Sequence, residues 1–280
     1  MLTLYDLYER SAMESIENKI KQIRYRMAKI AYETKRGHLS SAYSSLEIIF
    51  ALYYMKVMRY KVDDLDWNER DRFILSKGHA GLALYCVLQD VGVLDINALN
   101  NFAGKMSDFS THPVSNIKYG IEMSAGSLGH GMAFAIGHAY NAILENKDYR
   151  VYVLLGDGEL QEGSNWEAFL LVSALKLNNI TVIIDYNNRQ IAGKVDNIVP
   201  LGDLSKKMES FGFETYEVDG HDVSALECIL KKKDKKPIAV VAHTTKGKGL
   251  SFMEDLDNWH GRGLTEEEWS KAKQELGNGE

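Results

Sequence analysis

The sequence predicts an α/β protein with a mostly parallel, doubly wound sheet and helices on both faces. Apolar runs of strand length alternate with helix-length patterns and short loops, which is typical of parallel sheets. The clearest unit has a strand run over 151–155, a helical pattern over 162–177 and a second strand run over 180–184. Internal repeats and low-complexity linkers are absent, so we predict a single domain over residues 1–280.

Composition narrows the class of protein. The chain has 280 residues, 45% of them hydrophobic, and a formal net charge of −6 that argues against a nucleic-acid-binding surface. Cys86 and Cys228 lie in apolar helical patterns outside any CxxC motif, so we expect core thiols in a reducing compartment. No signal peptide and no apolar run of membrane-spanning length is seen, so we expect a cytoplasmic protein.

The N-terminal third predicts helices separated by a loop that contains a histidine. Four isoleucines and Met27 recur at three- and four-residue steps over 11–35, and Gly37 stops that helix. His38 then opens a small-residue loop, where it either faces a cleft or bonds to the backbone. Ser44 and Glu47 have the spacing of a capping box at the start of the next helix.

Two further segments place polar groups between strands and helices. A buried strand over 72–76 is followed by His79 beside glycines and by a helix through Val91. Such junctions present polar side chains at the carboxyl edge of a sheet. Residues 100–125 lack periodicity and contain His112, and a long irregular stretch inside a compact domain is often functional.

A glycine-rich run over 126–131 opens the following helix. Its spacing is not GxGxxG and no strand precedes it, which excludes a nicotinamide dinucleotide fingerprint. The glycines permit close approach either by a cofactor or by a neighbouring helix. Farther along, the pattern predicts helices over 203–210 and 223–233 and strands over 214–218 and 237–242. A last helix near 265–275 is capped by Thr265 and Glu268.

Polar side chains end both strands of the central unit. Asp157, flanked by Gly156 and Gly158, follows the first strand, and Asn187 follows the second. Parallel strands joined by one helix have their carboxyl ends at the same edge, so these side chains can be neighbours. Hard oxygen ligands suit Mg²⁺, and the glycines and the helix start favour a phosphate. The unit therefore predicts a Mg²⁺–diphosphate site.

The string GDGELQEGSNWEA…LKLNNI resembles the transketolase family and its thiamin diphosphate-binding fold. The resemblance extends in order over essentially the whole chain. It implies that Asp157 and Asn187 ligate Mg²⁺ together with the backbone carbonyl of Arg189, and that Gly158 donates its N–H to the diphosphate. It also implies that Gly126 and Leu128 lie along the cofactor.

The same resemblance assigns roles to four of the eight histidines and to one glutamate. His38 and His260 would relay protons for substrate hydroxyls, and His112 would bond the carbonyl end of the donor. His79 would contact the diphosphate, while Glu162 would join a carboxylate relay between cofactor sites. Imidazoles titrate near neutrality and suit such proton transfer. The other four, without zinc-ligand spacing, are expected to bond to backbone or to line packing surfaces: His130, His138, His221 and His243.

Two family segments are altered here, and the chain is short for the family. The family's His-Pro-Gly is His38-Leu39-Ser40, and its Gly-Pro-Leu-Gly is Gly126-Ser127-Leu128-Gly129, which leaves the substrate open. Transketolases are typically more than twice as long. The resemblance therefore implies the N-terminal subunit of a split transketolase, completed by a separate C-terminal subunit in a heterotetramer. Together they would transfer a two-carbon ketol unit from a ketose, by family default a pentose phosphate, to an aldose.

Two alternatives are weighed against this hypothesis. The chain could serve another thiamin diphosphate enzyme, such as a 2-oxo acid dehydrogenase or deoxyxylulose-phosphate synthase, which share the GDG…N element. The segments Ser76–His79 and Trp259–Gly261 look like transketolase instead. The chain could also be a non-catalytic scaffolding subunit, which its intact polar site residues disfavour.

Overall fold

Five parallel strands form the sheet around which the chain is built. The computed structural model describes the backbone of residues 4–256, 259 and 261–277, and side chains from residue 13 onward within those ranges. The sheet strands are β1 (Arg72–Leu75), β2 (Val151–Gly156), β3 (Ile180–Tyr186), β6 (Glu214–Asp219) and β7 (Ile238–His243). Their order is β1-β2-β3-β7-β6, and every neighbouring pair is parallel.

Helices connect the strands, and one small hairpin follows β3. The helices are α1 (Leu4–Thr34), α2 (Leu39–Ser44), α3 (Leu46–Tyr54), α4 (Gly81–Asp90), α5 (Gly131–Leu144), α6 (Gly163–Ala174), α7 (Val195–Ile198), α8 (Leu204–Ser210), α9 (Val223–Leu230) and α10 (Glu266–Leu276). Short 3₁₀ turns cover Gly78–Ala80, Ile117–Tyr119 and Gly158–Gln161, and the hairpin pairs β4 (Arg189–Gln190) with β5 (Gly193–Lys194).

Each face of the sheet is buried under a separate layer of helices. Tyr152 and Leu154 of β2 enter the core that contains α1, α3, α4 and α9, whereas Val153 and Leu155 enter the core beneath α5 and α6. Successive side chains of a strand point to opposite faces, so burial on both sides makes the strand apolar throughout. This arrangement confirms the predicted doubly wound α/β class.

The predicted start of the second helix was wrong. Residues expected to form a loop are helical in α2, and α3 begins at Leu46 without a side-chain cap. The Ser44 hydroxyl donates to Asp185 rather than capping the helix. Glu47 is buried against Arg24 and His221. Tertiary partners therefore outcompete the local capping box for both side chains.

The structure also bears on the predicted helix cap near the C-terminus, the irregular segment and the two cysteines. The capping box of Thr265 and Glu268 is confirmed, and residues 100–125 contain only a 3₁₀ turn and one isolated bridge. Cys86 is buried as predicted, but Cys228 is exposed, because it lies on the outer side of the amphipathic α9.

Within the described part of the chain, no helix is long and apolar enough to cross a membrane.

Candidate functional site

The carboxyl edge of the sheet surrounds a cavity of about 330 Å³. Turns that follow β1, β2, β3 and β7 all reach this edge because the strands are parallel. Nine residues predicted for the site line the cavity: His79, His112, Gly126, Leu128, Gly156, Asp157, Gly158, Asn187 and Arg189. Its volume lies in the range usual for small-molecule sites.

Asp157 joins the ends of β2 and β3. Its Oδ1 accepts a 2.7 Å hydrogen bond from the Gly158 N–H, and its Oδ2 accepts one from the Asn188 N–H. The two strand ends, thirty positions apart in sequence, are thus in direct contact. Burial, reinforced by the nearby Asp185 carboxylate, raises the pKa of Asp157 to about 6.

The amide of Asn187 has a defined orientation. Its Nδ2 donates to Asp185 Oδ1 at 3.0 Å, and its Oδ1 accepts from the Arg189 N–H at 3.0 Å. Asn188 between them has a φ of 56°, a left-handed conformation that asparagine tolerates, so the chain turns sharply after β3. The turn brings Asn187 and Arg189 to the cavity.

The donor set at this edge fits a hard divalent cation. Asp157 and Asn187 offer a carboxylate and an amide oxygen, and the Arg189 carbonyl is a further oxygen donor. Within the described residues, no group of three or more His, Cys, Asp and Glu side chains could hold a metal ion. Mg²⁺ needs few protein ligands, because it retains waters and shares phosphate oxygens. A buried carboxylate with a raised pKa would also be stabilised as an anion by a cation.

Three of the predicted histidines gather beside the cavity. His38 immediately precedes α2, His79 lies in the 3₁₀ turn after β1, and His112 lies in the irregular segment. The His38 ring centroid is 4.8 Å from that of His112 and 6.1 Å from that of His79. A Cβ on Gly261 would lie 3.5 Å from His38 Nε2, so the C-terminal segment approaches the cluster. The predicted His260 lies outside the described residues.

His112 is held in a partly buried setting. A Cβ on Gly126 would lie 3.6 Å from its Cγ, so the glycine turn packs against the imidazole ring. Burial lowers the pKa of His112 below its ordinary value of 6.5. The ring is therefore held mainly neutral at neutral pH, a state that can accept a proton from a hydroxyl group.

The glycine-rich run borders the cavity and also packs closely against a neighbouring element. Gly126 and Leu128 line the cavity, as a ligand contact would require. A Cβ on Gly131 would lie 2.3 Å from the Ser76 side chain, so α5 begins in direct contact with the end of β1. Any larger residue at 131 would have to move one of these elements.

Glu162 does not line the cavity. It is exposed at the start of α6, where a Cβ on Gly129 would lie 2.7 Å from its Cβ. Glu159, one turn earlier, lines the cavity instead and is buried. Its carboxylate accepts N–H bonds from Gly129 at 3.0 Å and Gly156 at 3.1 Å, so it ties the glycine turn to β2. Burial raises the pKa of Glu159.

Sequence reasoning missed a buried polar cluster behind the cavity. We define the Asp185 cluster as Ser44, Ser45, Lys77, Asp185 and Thr244. All four partners donate hydrogen bonds to the Asp185 carboxylate, which is completely buried. Burial alone would raise the pKa of Asp185, but the adjacent Lys77 ammonium and the hydroxyl donors hold it well below its ordinary range. The available signal was an acid directly after an apolar strand run.

The other four described histidines do not line the cavity: His130, His138, His221 and His243. His221 accepts the Thr245 N–H at 2.8 Å, as expected of a backbone-bonded histidine, and its Nδ1 contacts Glu47 at 3.1 Å. The ring of His243 packs edge-on against Tyr186, as expected, and its Nε2 also pairs with Glu217 at 2.9 Å. A surface carboxylate on the neighbouring strand supplies that partner. The ring of His138 packs edge-on against Phe134.

The cavity lies at the carboxyl edge of an open parallel sheet and is surrounded by an acid, a carboxamide and a histidine cluster. This arrangement is typical of α/β enzymes that bind a cofactor at that edge. Residues 15–280 match the family model described as transketolase, thiamine diphosphate binding domain. The chain belongs to the transketolase family, which confirms the resemblance seen in its sequence. It corresponds to the N-terminal unit of that family.

Relatives of two lengths support this placement. The chain is 35% identical to one subunit of the apulose-4-phosphate transketolase of Phocaeicola vulgatus, with 94% of each chain covered. It is 36% identical to the 6-deoxy-6-sulfo-D-fructose transketolase subunit SqwG of a Clostridium species, covering 86% of this chain and 88% of the relative. It superposes on the crystal structure of Campylobacter jejuni transketolase with a TM-score of 0.85 at 31% identity. That match covers 93% of this chain but only 42% of the solved chain.

The environment of His112 leads to a prediction about its titration. Because burial without a compensating charge disfavours the imidazolium, we expect its pKa below 6.5 in the folded protein. Histidine NMR signals followed against pH measure this value, with the resonance assigned by its loss in His112→Asn. A pKa at or above 6.5 would contradict the buried setting described here.

Proposed function

We propose that this chain is the N-terminal subunit of a two-chain transketolase that holds Mg²⁺ and the diphosphate end of thiamin diphosphate. With a C-terminal partner subunit it transfers a two-carbon ketol unit from a ketose to an aldose. The observation that carries the proposal is the contact of Asp157 with the turn after Asn187, which places both oxygen donors at one cavity. Two relatives named as transketolase subunits align with this chain over 94% and 96% of their own length.

Different residues of the cavity would hold the metal and the diphosphate of the cofactor. Asp157, Asn187 and the Arg189 carbonyl would hold Mg²⁺. Gly158 would face the diphosphate with its backbone, and it has little room for a side chain, because a Cβ there would lie 3.2 Å from the Gln190 Cβ. Thiamin diphosphate supplies the electron sink that stabilises a two-carbon carbanion, so the protein need only position groups and move protons.

The histidine cluster would handle those protons. His38 and His112 lie side by side near the cavity, and His79 lines it. Neutral imidazoles can take a proton from a substrate hydroxyl and return it to the product. The resemblance assigns the same work to His260. Glu162, which is exposed at the start of α6, would act as a relay residue at the subunit boundary.

The substrate proposed is a ketose with an anionic terminal group. Relatives are named for apulose 4-phosphate and for 6-deoxy-6-sulfo-D-fructose, which carry a phosphate and a sulfonate respectively. A pentose phosphate also belongs to this class of ketoses with an anionic terminal group. The anion-binding residues would lie on the partner subunit. A cytoplasmic setting, where thiols stay reduced, fits the two free cysteines.

An uncharged helical face beside the cavity supports the need for a partner. No residue of α5 is Asp, Glu, Lys or Arg, and α6 contains only Glu167. Both helices begin next to the cavity and present large apolar side chains to solvent. The exposed ones include Phe134, Ile143, Leu144, Leu170 and Leu171. Exposed apolar side chains grouped on two packed helices are typical of an interface. We assign it to the partner subunit, which would lie where it could complete the cofactor site.

The first prediction concerns activity of the single chain. Because the group that activates the cofactor is proposed to lie on the partner, ketol transfer should be at least about 1000-fold slower without it. A coupled assay with a ketose phosphate and an aldose, run with and without the C-terminal subunit, measures this. Transfer at full rate by the single chain would refute the two-chain proposal. Consumption of pyruvate instead of a ketose would favour the other thiamin enzymes.

The second prediction concerns the metal. Asp157→Ala should lower Mg²⁺-dependent affinity for thiamin diphosphate in the assembled complex by more than about 100-fold, since it removes a ligand outright. Isothermal titration calorimetry measures the affinity. Asp148→Ala is the matched control, because that exposed carboxylate lies just before the opposite end of β2. Equal affinities in the two variants would exclude Asp157 as a ligand.

The third prediction tests the uncharged face. Leu170→Glu should weaken assembly with the partner by at least about 30-fold, because a carboxylate would be buried at the interface. Sedimentation or calorimetric titration of the two subunits measures it. Ile96→Glu, at another exposed aliphatic position, should change assembly by less than about twofold. Similar effects of both substitutions would show that the partner docks elsewhere.

A further inference from the structure

The buried Asp185 carboxylate accepts hydrogen bonds on both of its oxygens. Ser44 Oγ donates at 2.8 Å and Ser45 Oγ at 2.6 Å to one oxygen. Lys77 Nζ donates to the same oxygen at 2.5 Å. The other oxygen accepts from Asn187 Nδ2 at 3.0 Å and from the Thr244 hydroxyl. Asp185 is therefore held as an anion that only accepts hydrogen bonds.

Lys77 faces inward rather than serving the cavity as a phosphate ligand. It lines the cavity with its stem, yet its side chain is 2% exposed. The ammonium has three hydrogens and lies near four oxygens, namely Ser41 O, Ser44 Oγ, Ser45 Oγ and Asp185 Oδ2. Its donors are thus occupied within the protein. Its charge neutralises Asp185, which would otherwise be costly to bury.

The hydrogen bond from Asn187 Nδ2 to Asp185 Oδ1 fixes which end of the Asn187 amide faces the carboxylate. An acceptor-only carboxylate pairs with the amide nitrogen and repels the amide oxygen. The Asn187 Oδ1 is consequently on the other side, where it accepts from the Arg189 N–H. A neutral amide at 185 could donate or accept, and the Asn187 amide could then turn its nitrogen toward the cavity. A cation cannot bind that nitrogen.

We propose that Lys77 and Asp185 are positioning residues that keep the Asn187 amide oxygen directed to the metal. The pair acts through Asn187 and does not itself contact the ion or the diphosphate. This inference rests on the proposed function, because it assumes that Asn187 ligates Mg²⁺. It means that metal binding also depends on Lys77 and Asp185, which are not among the predicted ligands.

The test compares three variants in the assembled complex, with Mn²⁺ and thiamin diphosphate as probes. Asp185→Asn keeps the side-chain shape but removes the acceptor-only character, so metal affinity should fall by about 10- to 100-fold. Asn187→Asp alone places two carboxylates together and should also bind poorly. The exchanged variant, Asp185→Asn with Asn187→Asp, presents an oxygen in either orientation. It should bind within about tenfold of the wild type.

Mn²⁺ affinity is read from the electron paramagnetic resonance of free and bound ion, which is independent of turnover. Ser45→Ala is the control, because it removes one donor to Asp185 but leaves the contact with Asn187. It should change affinity by no more than about threefold. Thermal melting of the unliganded complexes separates loss of fold from loss of orientation. Rescue by the exchanged variant distinguishes positioning from general destabilisation.

Failure of the inference and failure of the proposed function give different results. If the wild type binds no Mn²⁺ in the presence of thiamin diphosphate, the proposed function is wrong. If the wild type binds but Asp185→Asn binds equally well, only the positioning role is overturned. The same conclusion follows if the exchanged variant does not fold or binds no better than Asp185→Asn.

Discussion

A buried ion pair between Lys77 and Asp185 connects the parts of the chain that form the cavity. Lys77 follows β1, Asp185 lies near the end of β3, and their hydroxyl partners come from the α2–α3 junction and from the residue after β7. Removing two charges from water is costly unless every donor and acceptor is satisfied. Here the serine and threonine hydroxyls meet that requirement. The same contacts hold four segments of the sheet edge in register.

The parallel pairing of β2 and β3 places the candidate metal ligands next to this ion pair. Gly156 pairs with Asp185, and the Asp157 N–H donates to the Asp185 carbonyl at 3.2 Å. The Asp157 side chain therefore emerges beside the turn that begins at Asn187. The glycine turn before α5 approaches from the other side, held by Glu159. Three short turns, each fixed by a buried carboxylate, thus surround a cavity that leaves room for a diphosphate.

Much of this arrangement could be predicted because it depends on local pattern. The strand–helix–strand unit alone implied that Asp157 and Asn187 share an edge. The Asp185 cluster could not be predicted in the same way, since Ser45 and Lys77 are 140 and 108 positions from Asp185 in sequence. Asp185 looked like the first residue of a polar turn. The Ser44 capping box failed for the same reason, because the Ser44 hydroxyl donates to the distant Asp185 carboxylate and does not accept from a local backbone N–H.

The central claim is that the oxygens gathered around Asp157 bind a divalent cation together with a diphosphate. A crystal structure of the assembled complex with thiamin diphosphate and Mn²⁺ tests it directly through the anomalous signal of the metal. The account predicts a single anomalous peak in direct contact with Asp157 Oδ, Asn187 Oδ1 and the Arg189 carbonyl, with diphosphate oxygens completing the coordination sphere. A peak elsewhere, or a diphosphate bound without metal at this edge, would contradict it.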